Sequence, residues 1–456
     1  LMALSLFVAF AAYAQVTTST MSGRITEANG TPVIGATVVA VHTPSGTQYY
    51  AITDNAGNYR IQNMRVGGPY TAEVSFLGFG STKSGNITLR LGENYVHNAT
   101  LTEQTVNLSE VVVTAGIANP ILNSDRTGAS MNISTRQLTS LPSISRSITD
   151  FTRMTPQANG TSFAGRDGRF NTVTIDGAAF NNNFGLSSSA MPGGTAQPIS
   201  MDAIAEVSVN LAPYDVRQSQ FTGAAINAVT KSGDNTIKAS VYTYLRPKSF
   251  TGEKVGDAIV KSARERSSSV YGLTVGGPII KNKLFFFLSG EYEKEIVPSS
   301  GWEPSTNGVV DLTNKISRTT VTDLERAKAH LLSKYNYDPG EYQNFSAFPS
   351  SNYKILARID WNIAKNHKFA LRYNRMRNTS TNLTNATSGP PGITRSNYSR
   401  VSDKSISFSN SFYGNENAID AFAAELNSTF GSKFSNKFLV SYTATTDPKR
   451  TSNSDL

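Results

Sequence analysis

Residues 352–362, Asn-Tyr-Lys-Ile-Leu-Ala-Arg-Ile-Asp-Trp-Asn, decide the fold because the two faces of this stretch differ. In an extended chain, successive side chains point to opposite sides, so every second residue shares a face. One face carries Tyr353, Ile355, Ala357, Ile359 and Trp361, and the other carries Lys354, Arg358, Asp360 and Asn362. A strand of about 9–11 residues that alternates in this way is typical of the wall of a transmembrane β-barrel.

Six further segments have the length expected of such strands, namely 236–246, 267–277, 283–293, 367–377, 419–430 and 436–446. The connections between the segments alternate in length. Short turns lie near 278–282, 363–367 and 431–435, and long loops lie near 247–266, 294–351 and 378–403. This alternation is typical of membrane barrels. We therefore predict a partial outer-membrane β-barrel in residues 236–456, comprising seven antiparallel strands of about 22 in a complete barrel.

Two segments of this half do not fit a membrane strand. Residues about 322–335 predict an amphipathic helix within a long loop, because apolar side chains recur there at helical spacing. Residues 404–413 alternate only weakly, and we interpret them as loop or as a strand extension. The chain ends in the polar residues 451–456, so we expect a sequence that stops within its barrel.

The composition excludes several classes of protein. Hydrophobic residues make up 39% of the chain and the mean hydropathy is −0.27, and no segment after the first residues has the roughly 18 consecutive apolar residues of a membrane helix. The absence of cysteine excludes disulfides and thiolate metal sites. The net charge is +9, but Lys and Arg are spread along the chain, so nucleic acid is not an expected partner.

The first 14 residues are typical of an export signal. An apolar stretch precedes Ala12-Tyr13-Ala14, which fits a signal-peptidase site before Gln15. The basic region and the initiator Met that normally precede such a stretch are missing, so we interpret residues 1–14 as a clipped signal peptide. The alternative is an ordinary buried segment.

Residues 16–103 predict a small β-sandwich, because short alternating strands are separated by turn residues such as Asn29-Gly30. Gly23–Thr26, Pro32–Ala40 and Thr53–Ile61 resemble the carboxypeptidase regulatory-like domain. The resemblance implies a seven-stranded, transthyretin-like sandwich without catalytic residues. Asp54 and its neighbours could suggest a calcium loop, but their spacing does not match the EF-hand pattern, and a β-turn is favoured.

Residues 104–116 form a linker whose β-branched run favours an extended backbone. An exposed extended segment can add itself to the edge of another sheet. The run is Glu110, Val111, Val112, Val113, Thr114 and Ala115. It resembles the TonB box, which implies a TonB-type periplasmic energy-coupling protein as partner. The alternative is the last strand of the sandwich.

Residues 117–235 carry the most specific motifs. Arg146–Pro156 and Ala212–Gly233 resemble the plug of Oar-like TonB-dependent receptors, which implies an α+β plug domain inside the barrel. Pro142 and the spacing of Ile144, Ile148 and Phe151 predict a helix in this domain. Residues 172–177 predict a strand that ends in an Asp176-Gly177 turn.

Two sets of plug residues are candidates for function. Charged side chains that could pair with the barrel interior and gate it are Arg166, Asp167, Arg169, Asp176 and Arg217; the alternative is ordinary surface charge. A loop that could face the ligand comprises Asn181, Asn182, Asn183 and Phe184, although a plain polar loop is equally compatible.

Catalysis is not indicated. The four histidines are scattered, and no metalloprotease, serine-hydrolase or phosphate-loop motif is present, so we expect no enzyme, no cofactor and no metal site.

The resemblance implies energised uptake of an unidentified ligand across the bacterial outer membrane. The partners would be the TonB-type protein, outer-membrane lipid and the ligand. The alternative function is surface adhesion or a secretion-associated role on the same fold, which fold alone does not distinguish.

Overall fold

The computed structural model describes residues 16–103, 130–141, 143, 146–181, 197–211, 221–250, 252, 254–256, 258–259, 267–297, 302–343, 348–382, 402–431 and 434–452. The predicted signal peptide, the linker with its TonB-box candidate, Arg217 and Asn182–Phe184 lie outside these residues. No helix among the described residues is long and apolar enough to cross a membrane.

The first module is a sandwich of two four-stranded sheets. One sheet has the order β4-β1-β7 with β8 also on β1, and the other has the order β3-β2-β5-β6. The strands are β1 Ser19–Glu27, β2 Thr37–His42, β3 Thr47–Ile52, β4 Asn58–Met64, β5 Gly67–Ser75, β6 Thr82–Leu89, β7 Asn94–Val96 and β8 Ala99–Leu101. Burial alternates along β2 and β5, as expected where one face of each sheet covers a shared core.

The sandwich has eight strand segments where the resemblance implies seven, because its last edge strand is interrupted. β7 and β8 pair in parallel with successive parts of β1. Between them the Asn98 side chain accepts a hydrogen bond from the Arg24 backbone N–H at 2.8 Å. A side-chain amide thus replaces the backbone acceptor at this point and divides one edge strand into two.

The second module is built on a five-stranded sheet of order β13-β12-β15-β14-β9. Its strands and helices, with one separate hairpin (β10–β11), are β9 Ser130–Ser134, α1 Thr135–Ser140, α2 Ile148–Thr152, β10 Ala158–Asn159, β11 Ser162–Phe163, β12 Thr172–Ile175, β13 Ala178–Ala179, β14 Ile204–Asn210 and β15 Ala225–Thr230, with 3-10 turns at Gly168–Phe170 and Met201–Ala203. Every residue of β12 and β15 is buried, because the sheet is covered on both faces.

The plug helix begins later than the sequence predicts. Arg146 adopts a left-handed φ of 49°, and Ser147 follows as the N-cap, its hydroxyl accepting from the Thr149 N–H at 3.0 Å. The left-handed residue ends any helix that approaches from the N-terminal side. Helix α2 therefore starts at Ile148 and buries Ile148 and Phe151.

The third module is a curved wall of seven antiparallel strands in the order β16-β19-β20-β23-β24-β25-β26. Its strands are β16 Lys238–Arg246, β19 Ser267–Ile280, β20 Leu284–Val297, β23 Phe348–Ala364, β24 His367–Asn382, β25 Tyr413–Phe430 and β26 Phe434–Ser452. All seven predicted strands are confirmed, and most extend beyond the predicted bounds. Of residues 404–413, which the sequence leaves between loop and strand extension, 404–412 lie outside the wall strands, and Tyr413 begins β25, which pairs with β24.

The wall has the two faces that its sequence predicts. In β23, Lys354 and Arg358 are only 5% and 7% exposed, whereas Ile355 and Ile359 are 47% and 40% exposed. A soluble sheet shows the opposite arrangement, with its apolar face buried and its polar face in water. The mainly β fold class is therefore confirmed, and the outer surface of the wall suits lipid.

The long loops carry small elements of their own. These are the 3-10 turns Lys248–Phe250 and Ser409–Ser411, β17 Lys254–Val255, β18 Ala258–Ile259, β21 Glu303–Ser305, β22 Ile316–Thr320 and α3 Val321–Tyr335. Helix α3 confirms the predicted helix. Thr320 caps its start by accepting from the Asp323 N–H, and Asn336 ends it in a left-handed conformation.

Candidate functional site at the plug–barrel interface

The inward face of the wall meets the plug through two groups of charged side chains. The Asp176 cluster consists of Asp176, Thr230, Arg358, Asp360, Arg372 and Glu425. The Glu291 cluster consists of Arg146, Ser200, Asp202, Tyr242, Glu291 and Lys354. Each cluster joins residues of the plug to residues of at least two barrel strands, so each fixes the plug against the wall.

Local sequence places Asp176 at the tip of a plug hairpin. Asp176 and Gly177 have φ values of 50° and 83°, and Ile175 pairs with Ala178 across the turn. Two successive positive φ values define the type of two-residue hairpin that Asp-Gly favours. The sequence predicts this turn, and the structure adds that the Asp176 side chain is only 3% exposed.

The Asp176 carboxylate is held by both its own domain and the barrel. It accepts hydrogen bonds from the Thr230 backbone N–H at 3.0 Å and from the Thr230 hydroxyl at 2.5 Å. Its Oδ1 lies 3.5 Å from Arg358 Nη1 and 3.7 Å from Arg372 Nε. A single plug carboxylate thus faces two guanidinium groups from neighbouring barrel strands.

Both arginines also bind backbone carbonyls of the plug. Arg358 Nη1 donates to the Thr230 carbonyl at 2.9 Å, and Arg372 Nη1 donates to the Asp176 carbonyl at 3.2 Å. Hydrogen bonds from a charged group to a carbonyl are stronger than those between neutral groups. The arginines therefore recognise the plug backbone as well as its charge.

Carboxylates of the wall balance the two arginines. Asp360 receives two hydrogen bonds of 2.8 Å from Arg358, and Glu425 lies 3.0 Å from Arg372. Buried charges cost free energy unless they are paired and hydrogen-bonded. Every charged member of the Asp176 cluster meets that condition.

The Glu291 cluster lies on the same inward face of the wall. Glu291 forms an ion pair with Lys354 at 2.7 Å and one with Arg146 of the plug at 3.4 Å. It also accepts hydrogen bonds from Ser200 at 2.9 Å and from Tyr242 at 2.8 Å. One barrel carboxylate therefore gathers four donors, two of which belong to the plug.

Arg146 is further fixed by Asp202 and by aromatic rings. Its Nη2 lies 2.5 Å from Asp202 Oδ2, and its guanidinium carbon lies 3.9 Å from the ring centroid of Tyr244. A cation over an aromatic face is attracted by the ring quadrupole. The left-handed backbone at Arg146, which delays helix α2, also places this side chain at the wall.

Apolar contacts accompany the charges. Met376, Ile419 and Leu356 of the wall share one buried cluster with plug residues such as Val207 and Ile226. The interface therefore combines close packing with ion pairs, and its charged groups are spaced among apolar side chains.

The candidate gating residues occupy different places. Asp176 lies in the interface described above. Asp167 and Arg169 form an ion pair with each other at 3.0 Å, both nearly half exposed, and hydrogen bonds from the Arg169 backbone and side chain lower the pKa of Asp167. Arg166 forms a backbone bridge with Phe163. A gating role for these residues and for Arg217 stays a prediction.

Of the candidate ligand loop, only Asn181 lies among the described residues. Its side-chain oxygen accepts from the Val173 N–H at 2.6 Å, and its amide donates to the Thr172 hydroxyl at 3.1 Å. These contacts attach it to the first two residues of strand β12. Ligand contact by this loop stays a prediction.

Sequence reasoning does not single out Arg146, Asp202 or Glu291. Arg146 lies within the quoted plug motif, and Lys354 and Arg358 lie on the polar face of residues 352–362. The interface residues of the wall could therefore have been predicted as charged residues at inward positions of a membrane strand, since such residues require a partner in the lumen.

The sandwich covers the short-turn end of the plug and the wall. Thr17 donates to Glu425 at 2.8 Å, Asn362 donates to Thr47 at 3.0 Å, and Arg65 donates to the Gly233 carbonyl at 3.2 Å. The Leu91 backbone N–H donates to Glu206 of the plug at 3.1 Å. Burial raises the pKa of Glu206 to about 7, although the hydrogen bond from Leu91 acts in the opposite direction.

The described residues contain no group of three or more His, Cys, Asp and Glu side chains arranged to hold a metal ion. The chemistry that this arrangement supports is reversible attachment of one domain inside another.

Comparison with known proteins agrees with this architecture. Residues 20–102 match the carboxypeptidase regulatory-like domain, and residues 229–455 match an outer membrane beta barrel domain. The chain is 28% identical over 297 residues to the TonB-dependent transporter Oar of Myxococcus xanthus, a match that covers 61% of this chain and 27% of that protein.

Two solved structures are similar at lower levels. The siderophore receptor PirA from Acinetobacter baumannii matches with 18% identity and a TM-score of 0.45, over 70% of this chain and 40% of that one. The outer membrane transporter YddB from Escherichia coli matches with 12% identity and a TM-score of 0.45, over 69% of this chain and 38% of that one.

The domain matches and the plugged wall define an outer-membrane β-barrel protein. Within that class, the chain is a homologue of the TonB-dependent transporter Oar. It spans about a quarter of the length of the Myxococcus xanthus relative.

Replacing Asp176 with Asn should loosen the plug. The substitution removes the plug charge that faces Arg358 and Arg372, and truncating one partner of a buried charge pair typically costs about 2–5 kcal/mol. We expect faster amide hydrogen exchange in strands β12 and β15, measured by mass spectrometry on the protein in detergent. Asp167→Asn, which removes an exposed carboxylate of the same domain, is the matched control and should leave exchange unchanged. Equal amide protection of β12 and β15 in the two variants would contradict the assignment of Asp176 as a contact that holds the plug.

Attachment of the sandwich to the plug should weaken as pH rises through about 7. The attached form holds a proton on Glu206 up to about pH 7, whereas a solvated Glu loses it near its ordinary pKa of 4.5. The attached form therefore binds more protons between these values, and attachment is strongest on the acidic side. The protection factor of the Leu91 amide, measured from pH 5 to 8.5, reports this change.

Glu206→Gln is the control for this pH effect, since Gln keeps the acceptor oxygen and cannot ionise. Its Leu91 protection should be nearly independent of pH over the same range. Arg90 and Glu93, which also act on the Glu206 carboxyl, remain in the variant. A Gln variant that shows the wild-type pH profile would disprove the role of Glu206.

Proposed function

We propose that this protein imports a ligand through its barrel when a TonB-type periplasmic partner pulls on residues 110–115. The carrying observation is the Asp176 cluster, in which one plug carboxylate is held by two barrel arginines. Such a contact holds the plug in place at rest, and it is local enough to be broken by displacement of a single hairpin.

The position of the linker supports a pulling mechanism. Residues 104–129 connect the sandwich to strand β9, and β9 lies at the edge of the plug sheet, paired only with β14 among the described strands. A force on the linker therefore reaches β9 first. An edge strand can be peeled away one hydrogen bond at a time, which requires less force than shearing a central strand.

Strand β14, from which β9 would separate, is connected through β15 to the contacts with the barrel. β14 pairs with β15, and β15 ends at Thr230, which binds both Asp176 and Arg358. Loss of β9 exposes β14 and removes support from β15. We therefore infer that peeling of β9 weakens the Asp176 cluster and opens a path beside the plug.

The β-branched sequence of Glu110–Ala115 supports the choice of partner. Three consecutive valines favour a strand, and a strand with free N–H and C=O groups pairs with the edge of another sheet. The curated relative is named as a TonB-dependent transporter, and the box resembles the segment that such receptors lend to their energising partner.

Deleting residues 110–115 from the full-length protein should abolish energised uptake and leave ligand binding at the cell surface intact. Val112→Pro is a finer variant, because Pro removes a backbone N–H and is excluded from the interior of a paired strand. Ala118→Pro, which lies between the run and strand β9, is the matched control. Uptake and surface binding are measured on the same cells with a labelled ligand, with and without a protonophore.

We expect Val112→Pro to lower uptake to the level that is measured in the presence of the protonophore. Ala118→Pro should leave uptake near the wild-type level. Uptake that persists without residues 110–115 would contradict the proposal. Surface binding that never leads to uptake in the wild-type protein would favour the adhesion role instead.

A further inference from the structure

We propose that the cavity enclosed by the sandwich, the plug and the barrel wall binds a small anion that carries carboxylate or phosphate groups. The cavity has a volume of about 600 Å³ and lies at the short-turn end of the wall, away from the long outer loops. Small-molecule sites typically have volumes of about 300–1,000 Å³.

The charges that line the cavity do not balance. Its three acidic side chains are each paired with a cation: Asp234 with Lys238 at 2.5 Å, Asp360 with Arg358 at 2.8 Å and Glu425 with Arg372 at 3.0 Å. Three more cations line the same cavity, namely Arg65, Lys231 and Lys368. None of these three has a carboxylate within 4.0 Å in the part of the chain that the structure describes.

Arg65 is connected to the other two cations through neighbouring residues. Arg65 donates to the carbonyls of Ser232 and Gly233, the two residues that follow Lys231. The Arg65 backbone N–H donates to the Tyr49 hydroxyl at 3.2 Å, and Lys368 Nζ lies 4.3 Å from the centroid of the Tyr49 ring. The sandwich, the plug and the wall thus each contribute one cation to the same place.

The existing contacts orient the cations without neutralising them. Arg65 binds carbonyl oxygens, and Lys368 binds the Lys365 carbonyl at 3.1 Å and the Tyr49 ring. Burial lowers the pKa of Lys231, with Asp202 acting only as a partial offset. A half-buried cation that lacks a counter-charge is a costly feature, and an anion from solution would remove that cost.

His42 contributes polarity to the cavity and no charge. Burial, assisted by Arg65, lowers its pKa to about 3, and its Nδ1 is 2.7 Å from the Ser45 hydroxyl. The positive excess therefore comes from Arg65, Lys231 and Lys368. Guanidinium and ammonium groups together are the usual partners of carboxylate and phosphate oxygens.

This site is separate from the outer loops where a ligand first arrives, and its occupancy requires the sandwich to be attached. Because the cavity lies at the periplasmic end of the barrel, an imported anion would bind there last, before its release into the periplasm. That role rests on the proposed uptake function, whereas anion binding itself does not. The two are therefore tested by different measurements.

Binding is tested with inorganic pyrophosphate and with citrate, titrated calorimetrically into the purified full-length protein in detergent at low salt. We expect saturable binding of at least one of these anions that weakens as ionic strength rises. Lys231→Gln and Lys368→Gln should each weaken it about tenfold or more, because a hydrogen bond to a charged group is worth about 1.5–3 kcal/mol.

Three controls separate loss of the site from loss of the fold. Lys231→Arg and Lys368→Arg keep the charge and should retain binding within a few-fold. Lys83→Gln removes an exposed lysine of the sandwich, which pairs with Glu73 at 3.5 Å, and should bind like wild type. All variants should keep the resistance of the barrel to unfolding in detergent.

Absence of saturable binding by both anions would overturn the proposal, and so would binding that survives in both Gln variants. Because no energy source is present in the titration, a protein that binds anions and fails to import leaves the cavity assignment intact. If the protein imports its ligand but binds neither anion, only the assignment of the cavity as an anion site is disproved.

Discussion

A charge taken out of water must find a partner, and this constraint shapes the whole molecule. The inward face of the wall carries Glu291, Lys354, Arg358, Arg372 and Glu425, all nearly inaccessible to solvent. Some of their partners lie in the wall, but Asp176, Thr230 and Arg146 come from the plug, and Thr17 comes from the sandwich. The barrel therefore requires its contents, since without them several charged groups would lose counter-charges or hydrogen bonds.

The same constraint fixes the register of the strands. Side chains alternate between lumen and outer surface, so a shift of one residue in β23 would place Arg358 outside and Ile359 inside. A charged side chain at the centre of a bilayer costs about 2–4 kcal/mol, and the plug would lose its anchor at the same time. Lipid on one side and the plug on the other thus select the same register. The polar contacts between the wall and the sandwich at the short-turn end also require this register, so all three modules are consistent with it.

The sequence was sufficient for features that depend on local pattern. Alternation predicted all seven strands of the wall, helical spacing predicted α3, and the Asp-Gly pair at Asp176 predicted a turn. The sequence was insufficient for features that depend on burial and on contacts between residues far apart in the chain. Asp167 and Asp176 look alike in the sequence, yet one is exposed and the other lies between two arginines, because only the second is at the tip of a hairpin that reaches the wall. Arg146 and Glu291 meet across 145 positions, and no short-range pattern encodes such a contact.

The central claim, that the apolar face of the wall lies in lipid while its charged face holds the plug, is tested most directly at Trp361. These 456 residues contain two tryptophans, and Trp302→Phe, together with replacement of any Trp elsewhere in the full-length protein, leaves Trp361 as the only reporter. In vesicles with brominated acyl chains, its fluorescence should be strongly quenched by the lipid and weakly by acrylamide in the water. Quenching by acrylamide comparable to that of Trp302 in a Trp361→Phe variant, without quenching by brominated lipid, would contradict the account.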